Sequence, residues 1–93
     1  MSRTQQAIQE FENTIQEKMR AFEAFLSIPS VSSDPAKKAS MLDAANYLKT
    51  YFEGIGMDAA AVYPTDLHPV VFAEKRACKP DAKTVLIYGH YDV

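Results

Sequence analysis

Ile8, Phe11, Ile15, Met19, Phe22, Phe25 and Leu26 recur at steps of three and four residues, the spacing that lines one face of an α-helix. Gln5, Gln9, Glu12, Gln16 and Arg20 fall on the other side. The pattern predicts an amphipathic helix over residues 4–26 with one apolar stripe, whose expected destination is burial against a sheet. The stretch Ser27-Ile28-Pro29-Ser30-Val31-Ser32-Ser33-Asp34-Pro35 breaks the period. Each proline disfavours helical geometry in the residue before it, so a connecting loop is predicted. Helical spacing then resumes at Ala39, Leu42, Ala45, Leu48, Phe52 and Ile55. Asp34 followed by Pro35 suits an N-cap with proline at the first helical position, and Gly54 and Gly56 suit its end. A second helix over residues 36–55 is the reading.

After Gly56 the period shortens to β-prone runs at 57–63, 70–75 and 84–88. Their connections, 64–69 and 76–83, are short, which favours antiparallel neighbours. Val85-Leu86-Ile87 is continuously apolar, as expected of a strand buried on both faces of a sheet. The predicted class is therefore α/β: two helices, then a three-stranded portion of a mixed sheet, within one domain over 1–93. Two helices can hardly cover both faces of such a sheet, so the order reads as part of a larger layered architecture.

Composition narrows the functional classes. The apolar share of 47% and charged share of 24% are those of an ordinary globular protein. Ten basic and twelve acidic residues give a net charge of -2. The basic ones occur as Lys37-Lys38 and a loose group at Lys75, Arg76 and Lys79, which is no nucleic-acid footprint. One cysteine, Cys78, makes no intramolecular disulfide and has no second cysteine at zinc-ligand spacing, so a reducing, cytoplasmic setting is expected. No stretch approaches the ~20 apolar residues of a membrane span, and the N-terminus lacks a signal-peptide core. Neither export nor a membrane partner is expected.

The chemistry gathers at the end of the chain, where Thr84-Val85-Leu86-Ile87-Tyr88 leads into Gly89-His90-Tyr91-Asp92-Val93. Ligands in open α/β sheets sit beyond the C-terminal ends of strands. Two residues apart in extended chain, His90 and Asp92 point to the same side. A carboxylate accepting one imidazole N–H fixes the tautomer and leaves the other nitrogen for a metal. Gly89 gives the turn freedom from a Cβ. A strand-end histidine merely satisfied by its neighbour explains the pair as well, and one ligand does not make a zinc site that takes about four donors.

Other candidates read as structural. His68, in a turn between Leu67 and Pro69, has no acidic residue at ligand spacing and is set aside as a surface-loop residue. Cys78 is expected to face solvent among charges. Ser30, Ser32 and Ser33 lack a Gly-x-Ser-x-Gly elbow and read as loop chemistry. Tyr47, Tyr51 and Phe52 read as core or interface anchors.

Leu86-Ile87-Tyr88-Gly89-His90-Tyr91-Asp92-Val93 resembles the first metal-binding signature of the di-zinc metallopeptidases that include carnosinase-like dipeptidases, aminoacylase, acetylornithine deacetylase and succinyl-diaminopimelate desuccinylase. Its His-Tyr-Asp-Val form is most like the dipeptidase branch. Phe25-Leu26-Ser27-Ile28-Pro29-Ser30-Val31-Ser32 resembles the family's early loop, and His68-Pro69-Val70-Val71-Phe72-Ala73-Glu74 the strand before its hairpin.

The resemblance implies that His90 is a zinc ligand and that Asp92 is a catalytic-site residue orienting it. It places the remaining ligands and the general-base glutamate after Val93. It further implies a two-zinc enzyme, with cobalt or manganese left open by a partial ligand set. Dipeptides or N-acyl amino acids are the implied substrates, and the family's lid domain implies a homodimer. This segment by itself would be inactive. A non-catalytic module that self-associates through its helices or an exposed sheet edge is the rival expectation.

Overall fold

A computed structural model describes all residues, 1–93. Its elements are α1 (Arg3–Leu26), a 3-10 turn (Pro35–Lys37), α2 (Lys38–Gly54), β1 (Ala59–Tyr63) and β2 (Val70–Glu74). No helix is long and apolar enough to cross a membrane.

The first helix begins where its side chains satisfy the free backbone donors. Ser2 Oγ accepts from the Gln5 N–H at 3.1 Å while Gln5 Oε1 accepts from the Ser2 N–H at 2.8 Å, a reciprocal capping box. The predicted periodicity is present, but its expected burial against the sheet is not. Ile8, Phe11, Met19, Phe22 and Leu26 are all exposed, and α1 contains no buried residue. It touches the rest of the fold through its last turns, where Phe25 stacks on Tyr47 at 6.0 Å and the Tyr47 hydroxyl donates to the Ala21 carbonyl at 2.7 Å. Tyr47 is thus the expected anchor. The stripe is longer than the surface that α2 offers, so the N-terminal half of α1 has nothing to bury against.

Asp34 caps the turn that leads into α2, its Oδ1 accepting from the Ala36 N–H at 2.9 Å. At the other end Gly56 takes φ 90°, the left-handed conformation open to glycine. The Gly56 N–H then reaches the Glu53 carbonyl and the Met57 N–H reaches Phe52, both at 3.1 Å, closing a Schellman stop. The buried stripe of α2 is rotated from the expected one: Met41, Ala44 and Ala45 are inside, whereas Leu42 and Ile55 are exposed. Small alanines let the helix backbone approach the sheet closely, and that geometry outranks side-chain bulk in choosing the inner face.

The two strands form an antiparallel hairpin in the register Ala59 to Glu74 through Tyr63 to Val70, and α2 packs on both. Val71 and Ala73 are half-buried, while Tyr63, Val70 and Phe72 alternate with them on the uncovered side.

The predicted third strand does not form. The sheet has two strands, and Val85, Leu86, Ile87 and Tyr88 lie in irregular chain between 81% and 89% exposed. A strand exists only through its ladder, and an apolar run with no polar side needs cover on both faces. These residues find neither, because the single sheet-packing helix is spent on the hairpin. Four residues are buried in all, and the radius of gyration of 15.6 Å exceeds the about 12 Å of a compact domain of this length.

Candidate functional site

Three irregular segments meet at one end of α2: the serine loop after α1, the hairpin loop 64–69, and the C-terminal residues 89–93. They enclose an open cleft of about 230 Å³ whose lining includes Ser32, Met41, His68, His90, Tyr91 and Asp92. Because the run 84–88 is not a strand, the cleft owes its geometry to loop-to-loop hydrogen bonds rather than to a sheet edge.

Those bonds are specific. Ser30 is fully buried; its Oγ donates to the Tyr91 carbonyl at 3.1 Å, and its own carbonyl accepts from the Val93 N–H at 2.9 Å. The two flank Asp92 and draw residues 91–93 alongside the serine loop. The Tyr91 hydroxyl donates to the Pro69 carbonyl at 2.6 Å, tying the same segment to the hairpin loop. Partial burial, and then the charge of Asp92, raise the Tyr91 phenol above its ordinary pKa, which keeps it a neutral donor.

His90 and Asp92 come together as the sequence predicted, with Nδ1 3.6 Å from Oδ1. That separation is slightly beyond a hydrogen bond. The carboxylate is held instead through its other oxygen, Oδ2, which accepts from the Ser32 hydroxyl at 2.6 Å. This bond is the main reason the Asp92 carboxyl sits below its usual pKa, opposed by slight desolvation and helped by its own backbone N–H and by His90. Asp92 is therefore a carboxylate at neutral pH with one oxygen fixed and the other turned toward the imidazole. The His90 ring is largely exposed and lies edge-on to Tyr88 at 5.6 Å between centroids. Gly89 needs no special conformation, and a Cβ there would meet nothing, so the expected steric role of this glycine is absent.

The expectation that His68 lies apart from the site is overturned. Its ring is half-buried in the cleft wall and contacts the Ser32 carbonyl through Nε2 at 2.8 Å. A carbonyl only accepts, so Nε2 carries the proton and Nδ1 is the bare acceptor. That Nδ1 is buried and has no partner. Of the serines read from the sequence as loop chemistry, Ser32 also lines the cleft, and the buried Ser30 braces it through the backbone of residues 91 and 93. A Ser-x-Ser spacing, which puts two hydroxyls on one side of extended chain, was the available signal. Its partners lie about 60 positions away, which no local pattern reveals. Cys78 is free and exposed, as expected.

The donor set suits a metal ion only in part. His90 offers an imidazole nitrogen and Asp92 a carboxylate that steadies it, but nowhere do three His, Cys, Asp or Glu side chains converge at ligand distance. A zinc site takes about four donors. One imidazole and one carboxylate fall short of that set.

No protein-family model matches the chain, and no solved structure does. Two curated relatives are similar to it. The Cys-Gly metallodipeptidase DUG1 of Saccharomyces cerevisiae is 32% identical over 79 residues, and the Cys-Gly metallodipeptidase DUG1 of Candida albicans is 34% identical over 79 residues. Each match takes in 73% of this chain and 16% of the relative, so the chain spans about a sixth of the length of these proteins. The similarity supports kinship with metallopeptidases.

Proposed function

We propose that the chain is the N-terminal part of the catalytic domain of a zinc-dependent dipeptidase or related amidohydrolase. Its complete enzyme hydrolyses the amide bond of dipeptides or N-acyl amino acids, and these 93 residues are not catalytically competent by themselves. The observation that carries this reading is the similarity to two proteins named as metallodipeptidases. The pairing of His90 with Asp92 in a shared cleft supports the assignment of roles.

In this reading His90 is the metal ligand. The Asp92 carboxylate faces Nδ1, accepts the Nδ1–H in a hydrogen bond when the contact shortens, and so keeps the Nε2 lone pair free for the ion. Zinc, when bound, supplies a Lewis acid toward the scissile carbonyl. The chain's own contribution is to hold one ligand in one tautomer. The other ligands and the general base belong to residues outside this sequence.

Replacing His90 by Ala in the complete enzyme is expected to lower zinc content and abolish hydrolysis. Unchanged zinc stoichiometry and rate would remove His90 from the site. The 93-residue chain is expected to show no peptidase activity and only weak zinc binding, and tight zinc uptake by the monomer would contradict the reading.

The second reading is a self-associating module without catalysis. It is favoured by the exposed apolar face of α1 and the exposed run Val85–Tyr88. Sedimentation equilibrium separates the two: a discrete dimer that forms without zinc and leaves His90 free supports the module.

A further inference from the structure

We infer that Ser32 is the positioning residue for the His90–Asp92 pair: its hydroxyl, held in place by His68, fixes which oxygen of Asp92 faces the imidazole. The inference rests on the proposed role of His90 as a metal ligand for its functional meaning, but its geometry stands independently.

An unrestrained carboxylate rotates freely about its last bond, and either oxygen can face the ring. Here Oδ2 is occupied by the Ser32 hydroxyl at 2.6 Å, the shortest contact Asp92 makes to another residue, while Oδ1 stands 3.6 Å from His90 Nδ1. Hydrogen bonds to a charged acceptor are short and roughly twice as strong as neutral ones. The stronger restraint on Asp92 therefore comes from Ser32 and not from the histidine it serves.

Ser32 is itself fixed. Its carbonyl accepts from His68 Nε2 at 2.8 Å. Two residues earlier, Ser30 holds the backbone on both sides of Asp92 through the Tyr91 carbonyl and the Val93 N–H. Ser30 sets the register of residues 91–93 against the serine loop, and Ser32 meets the side chain that this register presents. The order of support runs from His68 to Ser32, then to Asp92, then to His90. A serine loop some 60 residues upstream thereby sets the direction of an imidazole lone pair.

The test reads the His90 ring rather than activity. Long-range proton–nitrogen NMR on the chain reports which nitrogen of the His90 ring carries the proton. Asp92→Ala defines the signal of an unsupported ring. Ser32→Ala is expected to move the His90 nitrogen shifts toward that reference, and Ser32→Thr, which keeps the hydroxyl, to restore them. In the complete enzyme, zinc affinity measured by chelator competition is expected to weaken about 10-fold in Ser32→Ala, the lower end of what loss of a group behind a ligand costs.

A His90 signal unmoved by Ser32→Ala, yet moved by Asp92→Ala, overturns the inference. So does an equal shift in the Ala and Thr variants, which assigns the effect to loop packing. If zinc affinity is indifferent to His90→Ala while the tautomer still follows Ser32, the metal reading fails and the positioning role survives.

Discussion

Replacing Ser30 by Ala isolates the bond that docks the C-terminal segment. Ser30 is the one buried polar residue, and its hydroxyl makes a single hydrogen bond, to the Tyr91 carbonyl at 3.1 Å. Alanine retains the Cβ and removes one oxygen, so the change creates almost no cavity. The loss reduces to the net value of a neutral hydrogen bond, about 1 kcal/mol. The Tyr91 carbonyl can turn toward water, because its residue is only half-buried, which keeps the cost from rising to that of an orphaned buried acceptor.

A difference of about 1 kcal/mol raises the undocked population about fivefold. The reporter is the Val93 N–H, which donates to the Ser30 carbonyl at 2.9 Å. Its hydrogen exchange is expected to quicken about fivefold. The Asp58 N–H, bonded to Glu74 at the base of the hairpin, serves as control and is expected to keep its rate. Unchanged exchange at Val93 would refute the claim that Ser30 docks the segment. Equal acceleration at Asp58 would refute the claim that the effect is local.

Two further outcomes are expected. Gly56→Ala places a Cβ at φ 90° with no neighbouring atom within 4 Å, so the cost is backbone strain alone, about 1–2 kcal/mol, and thermal unfolding should fall accordingly, with Gly56→Asn falling less. Asp58 has its carboxyl pKa lowered, chiefly by the Arg76 backbone N–H at 2.7 Å and further by Lys75, against slight desolvation. A folded pKa below the unfolded one stabilises the fold above the unfolded value and loses that contribution as pH falls through the folded one. The Arg76 amide shift should therefore follow an acid titration below the ordinary aspartate range, and Asp58→Asn should abolish it.

Local interactions explain which features were legible in the sequence. The two helices, the Asp34 cap, the stop at Gly56 and the antiparallel hairpin arise from neighbours a few residues apart, and each matches its expected position to within two residues. The nearness of His90 to Asp92 also follows from spacing alone. What failed depended on partners. Val85-Leu86-Ile87 carries a strand's composition but has no ladder to join. The α1 stripe has a helix's period but little surface to cover. Periodicity states which side of an element is apolar and leaves open what meets it.

The sequence by itself determined the type and order of the helices and hairpin and the presence of an imidazole and a carboxylate two residues apart. Only the tertiary structure decided that α2 turns Met41, Ala44 and Ala45 inward in place of Leu42, that His68 stands in the cleft wall, and that Ser30 and Ser32 grip residues 91–93. The reason is distance along the chain. A cap or a turn is settled within one or two turns of backbone, where the entropy of closure is small, whereas a hydroxyl that meets its carboxylate across 60 residues depends on how the helix and hairpin between them pack.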